Sequence, residues 1–217
     1  RTFSMLLTLV GVEACIDSAD GLGLSDVEAF WVGTKDSGQS GMMLSQPLKL
    51  DYRPVTRVEN FCATGSETLR NACYAVASGA YDVAMAVGVE KLKDSGLSGL
   101  TIGYPPNDGT APEMSPPAMF SLLAPAYAER YGVDPEELKR VLARIAHKNH
   151  LNGEKNPLAQ FRRAPSLETI LASPLIAGML GVYDCSGVAD GAAAAIVVRA
   201  EDAHRYCERP MYVKALA

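Results

Sequence analysis

Cys62 lies in Thr56-Arg-Val-Glu-Asn-Phe-Cys-Ala-Thr-Gly-Ser-Glu-Thr-Leu69, where a short apolar run passes through small residues into an amphipathic helix. A thiol at a helix start faces the positive end of the helix dipole, which stabilises a nearby anion by roughly 0.3–2 kcal/mol. That favours the thiolate, the nucleophilic form. It is too small an effect to ionise most of a thiol at neutral pH, so covalent catalysis from this position still needs a general base, normally a histidine. A small buried cysteine, the usual fate of a free thiol, fits the same position, and position alone leaves both readings open.

Other chemistry-bearing residues are sparse. The three histidines are His147, His150 and His204. His147 and His150 stand three apart with no cysteine or second carboxylate cluster beside them, and no C-x-x-C or H-x-x-x-H spacing occurs, so no metal site is expected. Cys15, Cys73, Cys185 and Cys207 read as core or helix-face residues. Glu90-Lys91, just past an apolar strand, reads either as an ion pair at the mouth of a site or as a solvated strand-end pair. Lys148, Lys155, Arg162 and Arg163 form a basic cluster that suits either phosphate binding, through arginine's fork of donors, or a plain solvated surface.

The elements that must position these residues alternate. Leu69, Ala72, Cys73 and Val76 recur at i, i+3, i+4 and i+7, which predicts a helix after Cys62, with Gly79 closing it. Thr64 and Glu67 have the spacing of a capping box at its start. Val27 to Gly33 and Asp82 to Val89 read as strands, the second apolar enough for burial on both faces. Asp36 to Gly41 is a loop, and Met42 to Leu48 is helical. Met5 to Val10 belongs to a first helix rather than a signal peptide, since Glu13 and Asp17 follow without a cleavage pattern. Between Lys93 and Leu171 prolines and glycines give an irregular excursion, then two helices, Met119 to Tyr131 and Pro135 to His150. Gly191 to Val198 resumes the sheet, Glu201 to Arg205 is helical, and Met211 to Ala217 reads as a strand. Helix between strands predicts an α/β fold with a mostly parallel sheet, catalytic groups gathering at the strands' carboxyl ends.

With 217 residues, the chain can bury a substantial core. Its net charge of -5 gives no reason to expect nucleic acid, and no apolar run is long enough to span a bilayer. Five cysteines without paired spacing point to reduced thiols in a cytoplasmic compartment.

Val58-Glu-Asn-Phe-Cys-Ala-Thr-Gly-Ser-Glu-Thr-Leu-Arg70, with Ala77 to Lys91 after it, resembles the nucleophile segment of thiolases, in the sterol-carrier-protein-x branch and its bacterial and archaeal acetyl-CoA acetyltransferase relatives. Lys148-Asn-His-Leu-Asn-Gly-Glu-Lys-Asn-Pro157, Ser173-Pro-Leu-Ile176 and Asp184 to Ile196 fit the same branch in the same order. The resemblance implies a layered α/β/α half with an inserted helical loop domain that covers acyl-CoA. It implies residues 1-92 as the first part of the sheet domain, 93-171 as the insertion, 172-209 as the closing part, and 210-217 as the first strand of a further domain. The first strand and most of the second repeat are then absent.

By the same resemblance Cys62 becomes acylated, and Lys148, Lys155, Arg162 and Arg163 lie near the CoA phosphates. Asn149, His150, Asn152, Gly153, Asn156 and Pro157 have the look of a hydrogen-bonded turn, and Asp190-Gly191 is expected to fix a turn behind the nucleophile loop. The implied reaction is acyl transfer to Cys62, then Claisen condensation with acetyl-CoA or its reverse, with no cofactor beyond the CoA thioester itself. Base, second cysteine and part of the oxyanion hole are expected from a second unit. Homodimers or tetramers are implied, as is a complex with a synthase and a small oligonucleotide-fold protein. Alternatives on the same fold are a hydroxymethylglutaryl-CoA synthase, a ketosynthase and a steroid side-chain aldolase. Retention of Cys62 argues against the aldolase, and Val89-Glu-Lys91 favours neither of the others. A non-catalytic scaffolding half is a further alternative. A Val83 to Val89 strand without its central neighbour would there expose apolar surface.

Overall fold

In the first unit, strands rich in Val, Ala and Phe alternate with helices, and the two central strands of the sheet are largely buried on both faces while the two outer ones are partly exposed. The computed structural model describes residues 21–96 and 115–216, with Val10 and Glu13. It divides into two units, Arg1–Thr101 with Val188–Ala217 and Ile102–Gly187. The first helix expected around Met5 and the proline-rich stretch at 105–112 fall outside the described residues, Val10 and Glu13 apart, both of which are helical.

The first unit carries a four-stranded sheet built from β1 (Ala29–Gly33), β2 (Val55–Val58), β3 (Val83–Glu90) and β6 (Gly191–Val198), in the order β2-β1-β3-β6. β1 pairs in parallel with β2 and β3, whereas β6 runs antiparallel to β3 through eight register pairs, Val83↔Val198 to Glu90↔Gly191. β3 is thereby flanked on both sides. Val83, Met85, Val87 and Val89 are all buried, so the apolar surface expected of a strand lacking its neighbour does not arise.

Residue alternation assigns the two sheet faces. Phe30, Val32, Met85 and Val87 pack with Leu44 and Leu48 of α1 (Met42–Leu48). On the opposite face the small Ala84 and Ala86 lie against Ala72 and Val76 of α2 (Thr64–Ala77). Alanines there let α2 lie close to the sheet, and Gly79, at φ 74, ends the helix just past its cap residue Ser78. Residues 211–216 form no strand, having no ladder partner among the described residues, and Glu201 to Arg205 tightens to one 3-10 turn at Ala203–Arg205.

Among the described residues of the second unit, just over half are helical: α3 (Pro116–Phe120), α4 (Leu123–Tyr131), α5 (Pro135–Glu154) and α6 (Leu167–Leu171), with a small antiparallel pair, β4 (Leu175–Ala177) and β5 (Leu180–Gly181). The single helix expected from Met119 to Tyr131 is two, because Pro125 has no N–H to offer the carbonyl of Ser121. α5 starts where Asp134 caps Glu137 N and runs past His150 to Glu154. Asn149, His150, Asn152 and Gly153 are therefore helical rather than a turn. Only Asn156 and Pro157 lie in the turn beyond, where Asn156 Oδ1 accepts from Leu158 N. Ala143, Ala146 and Ile170 form this unit's buried cluster. No helix among the described residues is long and apolar enough to cross a membrane.

Candidate active site

Cys62 is exposed and sits in the 3-10 turn Phe61–Ala63, between the carboxyl end of β2 and the first residue of α2. Phe61, immediately before it, has φ 46. Holding a side-chain-bearing residue in that left-handed region costs about 1–2 kcal/mol, so its neighbours must impose it. Glu59 Oε1 accepts from Phe61 N at 2.6 Å. The Thr64 hydroxyl accepts from Asn60 N at 2.8 Å and donates to Phe61 O at 2.6 Å. These three bonds close a sharp elbow that lifts Cys62 clear of the sheet.

The expected capping box is absent. Thr64 is the first helical residue, its hydroxyl turned back into the elbow, and Glu67 instead holds Arg70 at 2.6 Å and Asn71 at 2.9 Å. Arg70, as hydrogen-bond donor and then as charge, keeps the Glu67 carboxyl below its ordinary value. The helix, expected to begin one or two residues after Cys62, begins two after it. No histidine hydrogen-bonds to the Cys62 thiol among the described residues. His147 Nδ1 lies 2.9 Å from Pro165 O, His204 Nε2 lies 3.2 Å from Tyr212 OH, and His150 sits against the Phe161 and Tyr183 rings.

Gly33, at the end of β1, sets the depth of the helix start. A Cβ there would lie 2.1 Å from Thr68 Oγ1 and 3.2 Å from Thr64 O, so only glycine admits the first turn of α2 at this distance. Thr68 is buried and donates to Thr64 O at 2.7 Å. The sequence pattern misses Thr68 and reads Gly33 and Thr64 only as a strand end and a helix cap, whereas the structure uses all three to seat the first turn of α2.

A second network ties the strand ends together. The Glu90 carboxylate accepts from Lys35 N, from Asp36 N at 3.3 Å and from the Ser37 hydroxyl at 2.7 Å, and Ser37 Oγ accepts from Lys91 N at 2.8 Å. Arg57 Nη2, from β2, donates to Thr34 O at 2.8 Å and Lys35 O at 3.2 Å. The ammonium of Lys35 sits 5.8 Å from the centroid of the Phe61 ring. Glu90 and Lys91 thus form no pair with each other. Lys91 pairs with Asp94, which raises its pKa, and more distantly with Asp190 at 3.7 Å. Asp190 accepts from Lys93 N and Asp94 N, so it fixes that turn rather than the Cys62 loop.

Within the second unit, Lys148, Lys155, Arg162 and Arg163 are exposed, and none forms an ion pair among the described residues. Arg162 Nε donates to Ala159 O at 3.2 Å. A cavity of about 570 Å³ is lined by Ile145, Asn149, His150, Phe161, Tyr183 and Cys185, among others. One wall is braced by Lys139, which donates to Asp184 Oδ2 at 2.8 Å and Met179 O at 2.7 Å, while the same Asp184 oxygen accepts from Gly181 N. Burial pushes the thiols of Cys185 and Cys73 up. The described residues hold no cluster of His, Cys, Asp and Glu able to bind a metal.

The family model for the thiolase N-terminal domain matches residues 3–201. The chain is 32% identical to an acetyl-CoA acetyltransferase of Methanothermobacter thermautotrophicus, over 100% of this chain and 57% of that protein. It is 32% identical to sterol carrier protein 2 of Gallus gallus, over 95% of this chain and 39% of that one. The chain spans about half the length of the archaeal relatives it matches. Among solved structures, an Ltp2-ChsH2(DUF35) aldolase superposes with a TM-score of 0.77 at 23% identity, covering 95% of this chain and 53% of that one. The Acat5 thiolase of Ascaris suum, in complex with coenzyme A, does so with a TM-score of 0.66 at 16% identity, covering 94% and 61%. Their sheets share this mixed α/β architecture. The chain belongs to the thiolase family, by its match to that family's amino-terminal domain.

Proposed function

We propose that this chain provides the acyl-accepting half of a thiolase-type acyl-CoA acyltransferase, with Cys62 as the nucleophile. The observation that carries this reading is the elbow: an exposed cysteine one residue past a left-handed Phe61 and two residues before α2. In the reaction the Cys62 thiolate attacks the thioester carbonyl, the carbonyl–sulfur bond breaks, and CoA leaves as its thiolate. Attacking and leaving sulfurs have similar basicity, so the exchange is close to balanced. The Cys62 N–H donates to no backbone carbonyl among the described residues and is open to a developing oxyanion. One such donor is worth about 2.7–4 kcal/mol in the transition state.

Claisen condensation needs in addition a base that removes a proton α to the second thioester. This base and the second catalytic cysteine are assigned to the part of the relatives' length that this chain does not span, a reading that its half-length match to them supports. Lys148, Lys155, Arg162 and Arg163 meet the CoA phosphates, a role that suits four exposed cations with no carboxylate partner among the described residues. Assembly as a homodimer or tetramer, a complex with a synthase and a small oligonucleotide-fold protein, and a cytoplasmic location belong to the same reading.

Acetyl-CoA and isotopically labelled CoA, incubated with the full-length protein, test it. Exchange of label into acetyl-CoA is expected and should vanish in Cys62→Ser. Exchange that persists in Cys62→Ser would remove Cys62 from the reaction.

A further inference from the structure

Two side chains far apart in sequence converge on the loop after β1, and that loop carries the lysine that reaches the residue before the nucleophile. The Glu90 carboxylate, at the end of β3, gathers the backbone N–H groups of Lys35 and Asp36 and the hydroxyl of Ser37. Arg57 holds the same loop from β2 through the carbonyls of Thr34 and Lys35. With its backbone pinned from both sides, Lys35 has little freedom, and its ammonium stands over the Phe61 ring at 5.8 Å. Asp36 Oδ1, 3.3 Å from the ammonium, adds a further constraint on its direction. A cation within about 6 Å of an aromatic centroid is attracted to the ring face. Phe61 is nearly half exposed, yet it carries the left-handed φ that precedes Cys62.

We propose that Lys35 and Glu90 are positioning residues for Cys62. Glu90 fixes the loop at the end of β1, and that loop's Lys35 braces the Phe61 ring, which holds the elbow in the conformation that presents the thiol. Neither residue needs to touch substrate. The inference rests on Cys62 as the nucleophile but concerns the geometry of the elbow, so a readout independent of acyl-CoA can judge it.

The test is a double-mutant cycle on Lys35 and Phe61, using the full-length protein, with the alkylation rate of Cys62 by iodoacetamide followed across pH and the melting temperature recorded for every variant. Lys35→Met is expected to slow Cys62 alkylation about three- to tenfold, and Lys35→Arg, which keeps a cation over the ring, to stay within about twofold of the parent. In a Phe61→Leu background the ring is gone, so adding Lys35→Met should change nothing further. Glu90→Ala should slow alkylation as Lys35→Met does. If Glu90→Ala fails to fold, the Lys35 and Phe61 cycle alone decides.

Two outcomes overturn the proposal. In one, Lys35→Met leaves the rate unchanged. In the other, it slows the rate equally with and without the Phe61 ring, which would mean that Lys35 acts on the thiol through its charge alone. A further arm with acetyl-CoA separates this inference from the functional reading. Normal alkylation coupling with no acetylation of Cys62 would reject the acyltransfer chemistry and keep the brace.

Discussion

The two units stabilise their chemically interesting features by opposite means. In the first, the Cys62 elbow is held by backbone: Gly33 lets α2 approach, Thr64 and Glu59 bond the turn, and Glu90 collects main-chain donors at the strand ends. In the second, the cavity wall is braced by one side-chain ion pair, Lys139 with Asp184, and the exposed cations carry no ionic partners among the described residues. A nucleophile must be placed to within a fraction of an ångström, and short backbone-anchored bonds do that. Binding a flexible polyanion requires charge and reach more than exact placement, so exposed lysines and arginines suffice.

That contrast can be strained from either side. The largest effect is expected from Asp184→Ala, which strips the mostly buried Lys139 of its partner and Gly181 N of its acceptor. Breaking such a pair costs about 3–5 kcal/mol. The loss should show as faster hydrogen exchange in residues 135–187 with Cys62 alkylation unchanged. Slower alkylation would break the separation of the two units. Gly33→Ala is the converse. Its Cβ collides with Thr68 Oγ1, and overpacking of this kind costs about 1–3 kcal/mol. Denaturant unfolding should report the cost, and Cys62 reactivity should change as α2 is pushed outward.

Replacing Lys148, Lys155, Arg162 and Arg163 together by alanine is expected to raise KM for acetyl-CoA about tenfold in the exchange assay, with kcat nearly unchanged and folding intact, as for lost uniform binding. An unaltered KM would return the cluster to plain surface. The smallest effect is a pH dependence at the start of α2. Glu67 has its folded pKa lowered by Arg70, so its contribution to stability is complete above the ordinary value of 4.5 and is lost as pH falls through the lower folded value. Glu67→Gln should therefore melt slightly earlier than the parent at neutral pH, and the gap should close on acidification below about 4.5.

Much of this architecture is legible in local patterns. Met42–Leu48 and Gly191–Val198 are found where composition puts them, and the helix after Cys62 starts two residues beyond it. What escaped the sequence depends on distant partners. The antiparallel direction of β6 follows from how the chain returns after residues 102–187, which no strand pattern encodes. The misread capping box has a similar cause, for Thr64 has a better use in the elbow than at the helix cap, and Glu67 a stronger partner in Arg70. Helix α5 runs past its expected end at His150 to Glu154, through a glycine whose missing side chain leaves room for the carbonyl of Phe161. The Glu90 network joins residues 53 to 55 positions apart, a separation at which no spacing rule operates.

Thiol mapping would also show whether the elbow singles out one cysteine, since Cys73 and Cys185 are burdened by burial and Cys62 is exposed. The most direct measurement is peptide mass mapping of the full-length protein quenched in acid after brief exposure to acetyl-CoA. An acetyl group confined to the peptide containing Cys62, absent in Cys62→Ala, is the result expected. Acetylation of another cysteine, or no covalent adduct on a protein that turns over acetyl-CoA, would contradict the assignment of Cys62 as the acyl carrier.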